Sequence, residues 1–235
     1  MKTLLHKASD RGVSNHGWLH SNFSFSFAHW YDPDRMGFGA LRVINDDTID
    51  PESGFDLHPH ENMEIITIVM SGEITHGDSM GNKKIVRAGD VQVMSAGTGI
   101  VHSEQNMSAT ESLHLFQIWI YPHSRQVTPR YDQKSFGTEW SNNTTTLLVS
   151  SDGRDDSLMI HQNAFVSRAQ YSAGTKLSYT LHQKNNGVYI FVVSGTLRID
   201  NQELHDRDAL GVFECNSIDF EILEDARYLI FEVPL

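Results

Sequence analysis

The sequence predicts an all-β protein built from two antiparallel barrels, and three observations carry that expectation. Short apolar, β-branched runs recur along the chain, at residues 41–44, 65–70, 91–94, 113–121, 188–193 and 228–233. Few stretches hold a 3.6-residue apolar period for three turns, so helices are not expected to build the core. The halves also echo each other: Val69-Met70-Ser71-Gly72-Glu73-Ile74 aligns with Val192-Val193-Ser194-Gly195-Thr196-Leu197.

Each run is bounded by residues that turn a chain. Ser71-Gly72, the stretch from Asp78 to Asn82, and Ala88-Gly89-Asp90 separate consecutive strands of the first half. From Pro122 to Asn163 the composition turns polar, which places the junction of the halves in that stretch. We therefore expect an N-terminal domain over residues 1–137 and a C-terminal domain over residues 138–235. Two units of about 100 to 120 residues can each bury a core.

Composition removes several function classes. The formal net charge is −12, and the longest basic run is Lys83-Lys84, so direct binding to nucleic acid or to anionic lipid is not expected. The single cysteine, Cys215, excludes an intramolecular disulfide and suits a reducing compartment. The first eighteen residues include His6, Lys7, Asp10 and Arg11 and hold no signal-peptide core. A cytoplasmic location without a membrane span follows as the expectation, and Asn106-Met107-Ser108 reads as a chance sequon. Gly97-Thr98-Gly99 lacks the third glycine of a dinucleotide loop, and no G-x-S-x-G elbow is present.

The chemistry concentrates in two short motifs. On a strand, residues i and i+2 face the same way, so His58-Pro59-His60 aims two imidazoles at one point. His102-Ser103-Glu104 repeats the spacing about 40 residues later, far enough for the chain to return on a neighbouring strand. His58, His60, His102 and Glu104 are thus the expected ligands of one metal ion. Glu64 competes with Glu104 for the fourth place; the i+2 spacing beside His102 favours Glu104. His76 and His114 are left as polar residues able to donate a hydrogen bond near the site.

Only the first half carries this set. Counted from Gly72 and Gly195, His58 and His60 fall opposite Leu181 and Gln183, and His182 is one residue out of phase. With Asp90 matched to Asp208, His102 and Glu104 fall opposite Phe220 and Ile222. The second barrel is expected to hold no metal.

The context of the motifs resembles the cupin superfamily. Gly54 precedes the first histidine pair, Glu64 and Gly72 follow it, and the second pair lies in Gly89-x5-Ser95-Ala96-Gly97-x4-His102-x3-Asn106, where Ser95 stands in place of the usual proline. Within cupins, H-P-H with a later H-S-E, a duplicated barrel and an inert second half resemble the pirin family, particularly its bacterial members. The likeness includes Arg11-Gly12, His16-Gly17-Trp18-Leu19, Tyr31-Asp32-Pro33, the stretch from Met36 to Asp47, and Gln117-Ile118-Trp119.

That resemblance implies a bicupin with jelly-roll-like barrels and one metal, usually iron, held by the residues matching His58, His60, His102 and Glu104. Donor type alone would admit iron, manganese, nickel, copper or zinc. The resemblance further implies oxygen-dependent ring opening of flavonols such as quercetin, with release of carbon monoxide and with Glu104 as the proton acceptor, or Glu64 in its stead. The rival expectation is a metal-dependent regulatory protein acting through a protein partner, with poor substrate access to its metal. A third is a stress-related protein with a structural metal.

Overall fold

The computed structural model describes residues 1–235, and nearly all of its regular structure is β. The first half contributes β1 (Lys2–His6), β2 (Gly12–Asn15), β3 (Leu19–Phe23), β4 (Leu41–Ile49), β5 (Ser53–His60), β6 (Glu64–Ser71), β7 (Glu73–Asp78), β8 (Lys83–Arg87), β9 (Asp90–Ser95), β10 (Ile100–Asn106), β11 (Leu113–Ile120) and β12 (Arg130–Ser135). The second contributes β13 (Thr144–Ser150), β14 (Leu158–Met159), β15 (Phe165–Tyr171), β16 (Lys176–Thr180), β17 (Asn186–Ser194), β18 (Leu197–Ile199), β19 (Gln202–Leu204), β20 (Ala209–Phe213), β21 (Ser217–Ile222) and β22 (Ala226–Pro234). The only helical elements are the single 3-10 turns Ala8–Asp10 and Arg154–Asp156. No helix is long and apolar enough to cross a membrane.

The six apolar runs all fall on strands: β4, β6, β9, β11, β17 and β22. Four sheets result, in two equivalent pairs. The order β12-β9-β6-β11-β4-β3-β2 with β5-β10-β7-β8 makes one barrel, and β1-β20-β17-β22-β15-β13-β14 with β16-β21-β18-β19 makes the other. From β9 to β3 and from β20 to β13 the two orders match, as do the four-stranded sheets, which is the duplication legible around Gly72 and Gly195; the outermost strands differ, β14 running parallel to β13 where β2 runs antiparallel to β3. Both glycines adopt positive φ, 77° and 88°. A Cβ on Gly195 would stand 2.1 Å from the Asp225 carbonyl oxygen, and one on Gly72 would stand 2.9 Å from that of Ser112. Only glycine combines that backbone angle with so close an approach. The edge strand β1, from the start of the chain, pairs with β20 and so completes the second barrel's sheet.

The two seven-stranded sheets pack face to face. A cluster of 25 buried residues joins them, with Ile66, Ile68, Phe116 and Ile118 on one side and Tyr189, Phe191, Leu229 and Phe231 on the other. Strand alternation then fixes what points into each barrel. On β6, Ile66 and Ile68 face the other half, while Ile65, Thr67 and Val69 face the first barrel's interior. The second barrel's interior is filled by an apolar cluster that includes Val188, Ile190, Leu210, Phe220, Ile222 and Ile230, with Cys215 packed against it.

Candidate metal centre

In the first barrel, inward positions that are aliphatic in the second carry polar groups. Thr67, Gln92, Glu104 and Gln117 correspond, by the glycine and aspartate anchors and by strand register, to Ile190, Leu210, Ile222 and Ile230. His102 corresponds to Phe220. Equivalent barrels thus hold, in one case, a packed hydrocarbon core and, in the other, a hydrogen-bonded interior with space left in it.

β10 runs through the middle of this site. On one side His102 pairs with His58 and Ile100 with His60; on the other, His102 pairs with Asp78 and Glu104 with His76. A β-bulge lies between the His102–His58 and Glu104–Phe55 pairs. The extra residue on β5 resets the alternation, so Phe55, His58 and His60 all turn toward the interior. One ring nitrogen from each of His58, His60 and His102 lies within 4.8 Å of the others. The ring centroids form a triangle with sides of 4.4, 4.9 and 4.9 Å.

Charge and tautomer suit these rings to ligation. Burial, followed by the neighbouring His58, lowers the His60 pKa to about 4. Burial, followed by His58, His60 and His76, lowers that of His102 to about 2. Both are therefore neutral near pH 7, with a lone pair free to bind a metal. Nδ1 of His58 donates to the carbonyl oxygen of Asp56 at 2.7 Å, which leaves Nε2 as the coordinating atom. His102 is 1% exposed, and neither of its ring nitrogens has a hydrogen-bond partner. A buried imidazole rarely stays unpartnered, and a metal ion would engage one of those nitrogens. The residues present fit a bound metal.

Glu104 is fully buried, which pushes its carboxyl pKa up, yet it is surrounded by donors. Nε2 of Gln92 donates to Oε1 at 2.5 Å and Nε2 of Gln117 donates to Oε2 at 2.9 Å. Gln92 is itself oriented by the Tyr131 hydroxyl, which donates to its Oε1 at 3.1 Å. This network fixes the carboxylate plane beside the imidazoles.

Glu64 lies on the opposite face of its strand. It shares the alternation of Ile66 and Ile68 and accepts a hydrogen bond from Ser95 Oγ at 2.7 Å. Burial raises its pKa to about 7. Glu104, not Glu64, is the carboxylate that lies beside His102 and His76, while the close group formed by His58, His60 and His102 does not include it. His114 is also turned away, with Nε2 at 2.7 Å from Asp46 Oδ1.

His76 stands closer to the site than its sequence context indicated. A ring nitrogen of His76, one of His102 and a carboxylate oxygen of Glu104 lie within 4.8 Å of one another. Nε2 of His76 is 3.1 Å from Asp78 Oδ2, its ring stacks on Tyr131 at 4.5 Å, and Nδ1 has no partner. The supporting residues Thr67, Gln92 and Gln117 left a signal that sequence reading passed over. Each is an inward polar residue flanked on both sides by apolar ones, in Ile-Ile-Thr-Ile-Val, Val-Gln-Val-Met and Phe-Gln-Ile-Trp.

A cavity of about 260 Å³ opens onto this cluster, bounded by His58, His60 and Glu104. Leu19, Phe23, Phe27, Phe55 and Trp119 form its apolar wall, and Asn45 and Asp47 of β4 line it as well. Trp119 packs edge-on to His60 with ring centroids 5.0 Å apart.

Comparison with known proteins agrees with this construction. The profile of a family described as Pirin matches residues 6–120, and one described as the quercetinase C-terminal cupin domain matches residues 147–233. An Escherichia coli (strain K12) protein named quercetin 2,3-dioxygenase is 46% identical over 232 residues, 98% of each chain. A Caulobacter vibrioides protein named pirin-like protein is 42% identical over 94% of this chain and 95% of its own. The crystal structure of the bacterial pirin YhhW from Escherichia coli, in complex with nickel(II), superimposes with a TM-score of 0.94 at 44% identity, covering 99% of both chains.

Proposed function

This chain belongs to the pirin family, with two cupin barrels, and from that premise we propose that it is a metal-dependent dioxygenase that opens flavonols such as quercetin, releasing carbon monoxide. The observation that carries the reading is the cavity with an aromatic wall that opens onto His58, His60 and Glu104, with His102 packed behind the two histidines. A structural zinc site is closed by its four ligands, and a purely regulatory metal needs no such access. Here a flat aromatic molecule has both a wall to lie against and polar groups at its end.

His58, His60, His102 and Glu104 would hold the ion, one per chain. Three neutral imidazoles and one carboxylate suit iron(II), which we take as the resident metal, and the nickel complex of the relative shows that its fold admits another divalent ion. When bound, the metal supplies a Lewis acid that favours the ionised 3-hydroxyl of a flavonol and a place for redox chemistry with dioxygen. The protein's own residues supply the rest. Phe23, Phe27 and Phe55 shield the aromatic rings from water, while Trp119 braces His60. Gln92 and Gln117 keep Glu104 from turning away as substrate enters.

Oxygen uptake and carbon monoxide release, measured with a panel of flavonols, test the proposal. Iron-loaded wild type should consume oxygen with quercetin; stripped protein and His58→Ala should not, and iron(II) should restore only the stripped wild type. No uptake by fully metallated protein, or equal uptake by His58→Ala, would refute it.

A further inference from the structure

The cavity contains a second buried carboxylate that metal ligation leaves unused. Asp47, on β4, is 3% exposed and lines the same cavity as His58, His60 and Glu104, and its Oδ1 has no hydrogen-bond partner. A buried acceptor without a donor is costly unless something else supplies one. The neighbouring register positions are Ser21 on β3 and Leu115 on β11, so only the Ser21 hydroxyl is offered to it from the flanking strands. At the equivalent position of the second barrel stands Ala169, part of that barrel's apolar filling.

Glu104 is poorly placed to act as a base. Both of its oxygens already accept hydrogen bonds from glutamine side chains, and a carboxylate bound to a metal is a weaker base still. Resting on the flavonol dioxygenase reading, we propose that Asp47 is the proton acceptor for the substrate hydroxyl. The O–H bond breaks, its electron pair stays on the substrate oxygen, and the proton goes to Asp47 Oδ1. Glu104 then serves as a ligand throughout.

The electrostatic surroundings support the geometry. Burial raises the Asp47 pKa to about 7, the Ser21 hydrogen bond works against that rise, and the negative charges of Asp46 and Glu104 add to it. Asp46 faces away from the cavity, whereas Glu104, His58 and His60 border it. A buried carboxylate outside the metal's ligand set is a stronger base than one bound to the metal.

The test compares iron-loaded wild type, Asp47→Asn and Asp47→Ala in oxygen uptake with quercetin, with bound metal and thermal unfolding measured on each. The two variants together guard against one of them failing to fold. Expected are a kcat lower by on the order of 100-fold or more, unchanged metal content, and a deficit that narrows as rising pH lets hydroxide take the proton. In anaerobic mixtures, quercetin bound to wild type should show the red-shifted absorption of its anion, and quercetin bound to either variant that of the neutral flavonol. Turnover within about threefold of wild type in a folded, metallated variant would overturn the role of Asp47 and leave the dioxygenase reading standing. So would an ionised flavonol bound to the variants. Wild type that consumes no oxygen with any flavonol would overturn both.

Discussion

His102→Ala is expected to yield a folded protein that binds metal at least roughly 100-fold more weakly than wild type and consumes no oxygen with quercetin. His102 sits at the centre of the cluster, close to both His58 and His60 on one side and to His76 and Glu104 on the other. Its ring makes no hydrogen bond, so the apo fold loses packing alone when the ring is removed. Changes to residues that merely orient ligands weaken metal binding by about 10- to 100-fold, and loss of a central ligand should exceed that range. His76→Ala should fall inside it. Metal analysis after dialysis against a weak chelator, with circular dichroism to verify the fold, distinguishes the two variants. Full retention of metal by His102→Ala would mean that the ion is held elsewhere.

Asp46→Asn should destabilise the protein by about 3 kcal/mol at pH 7, the cost of leaving buried cations unpaired. Asp46 ties the halves together: Oδ2 is 3.2 Å from Arg11 Nη1 and 2.9 Å from Arg207 Nε, and Oδ1 is 2.7 Å from His114 Nε2. Arg207 belongs to the second half, and its guanidinium also lies over the Phe116 ring. Burial pushes the Asp46 carboxyl pKa up, but the His114 hydrogen bond and the positive charges of Arg207 and Arg11 outweigh it, leaving the pKa below the ordinary value. The pH dependence follows. An acid whose folded pKa is depressed binds fewer protons folded than unfolded, so its stabilisation is complete above the unfolded pKa of about 4 and vanishes as pH falls through the folded value. The wild-type advantage in urea unfolding should therefore be constant from pH 7 to pH 5 and shrink toward pH 3. A gap that persists undiminished at pH 3 would contradict this pairing.

Much of this organisation was legible in the sequence because it rests on period two. The strand runs, the H-x-H and H-x-E pairs, and the loss of every ligand from the second half follow from alternation counted outward from glycines. The same alternation separates Glu104 from Glu64, since Glu64 falls in phase with Ile66 and Ile68, which face the other barrel. That step required knowing where the second barrel packs. His76 was undervalued for a related reason: its proximity to His102 arises from pairing between β7 and β10, and a cross-strand register is not written in either segment alone. Asp47 escaped notice because Asp46 and Asp47 look alike side by side, although one joins two arginines at the interface and the other lines the cavity.

Metal content in two carboxylate variants tests the central claim, a single open metal centre completed by Glu104, most directly. Wild type and Glu64→Gln should each bind one ion per chain with equal affinity, while Glu104→Gln should lose most of its metal at the same free concentration. Metal loss from Glu64→Gln with full occupancy in Glu104→Gln would contradict the account.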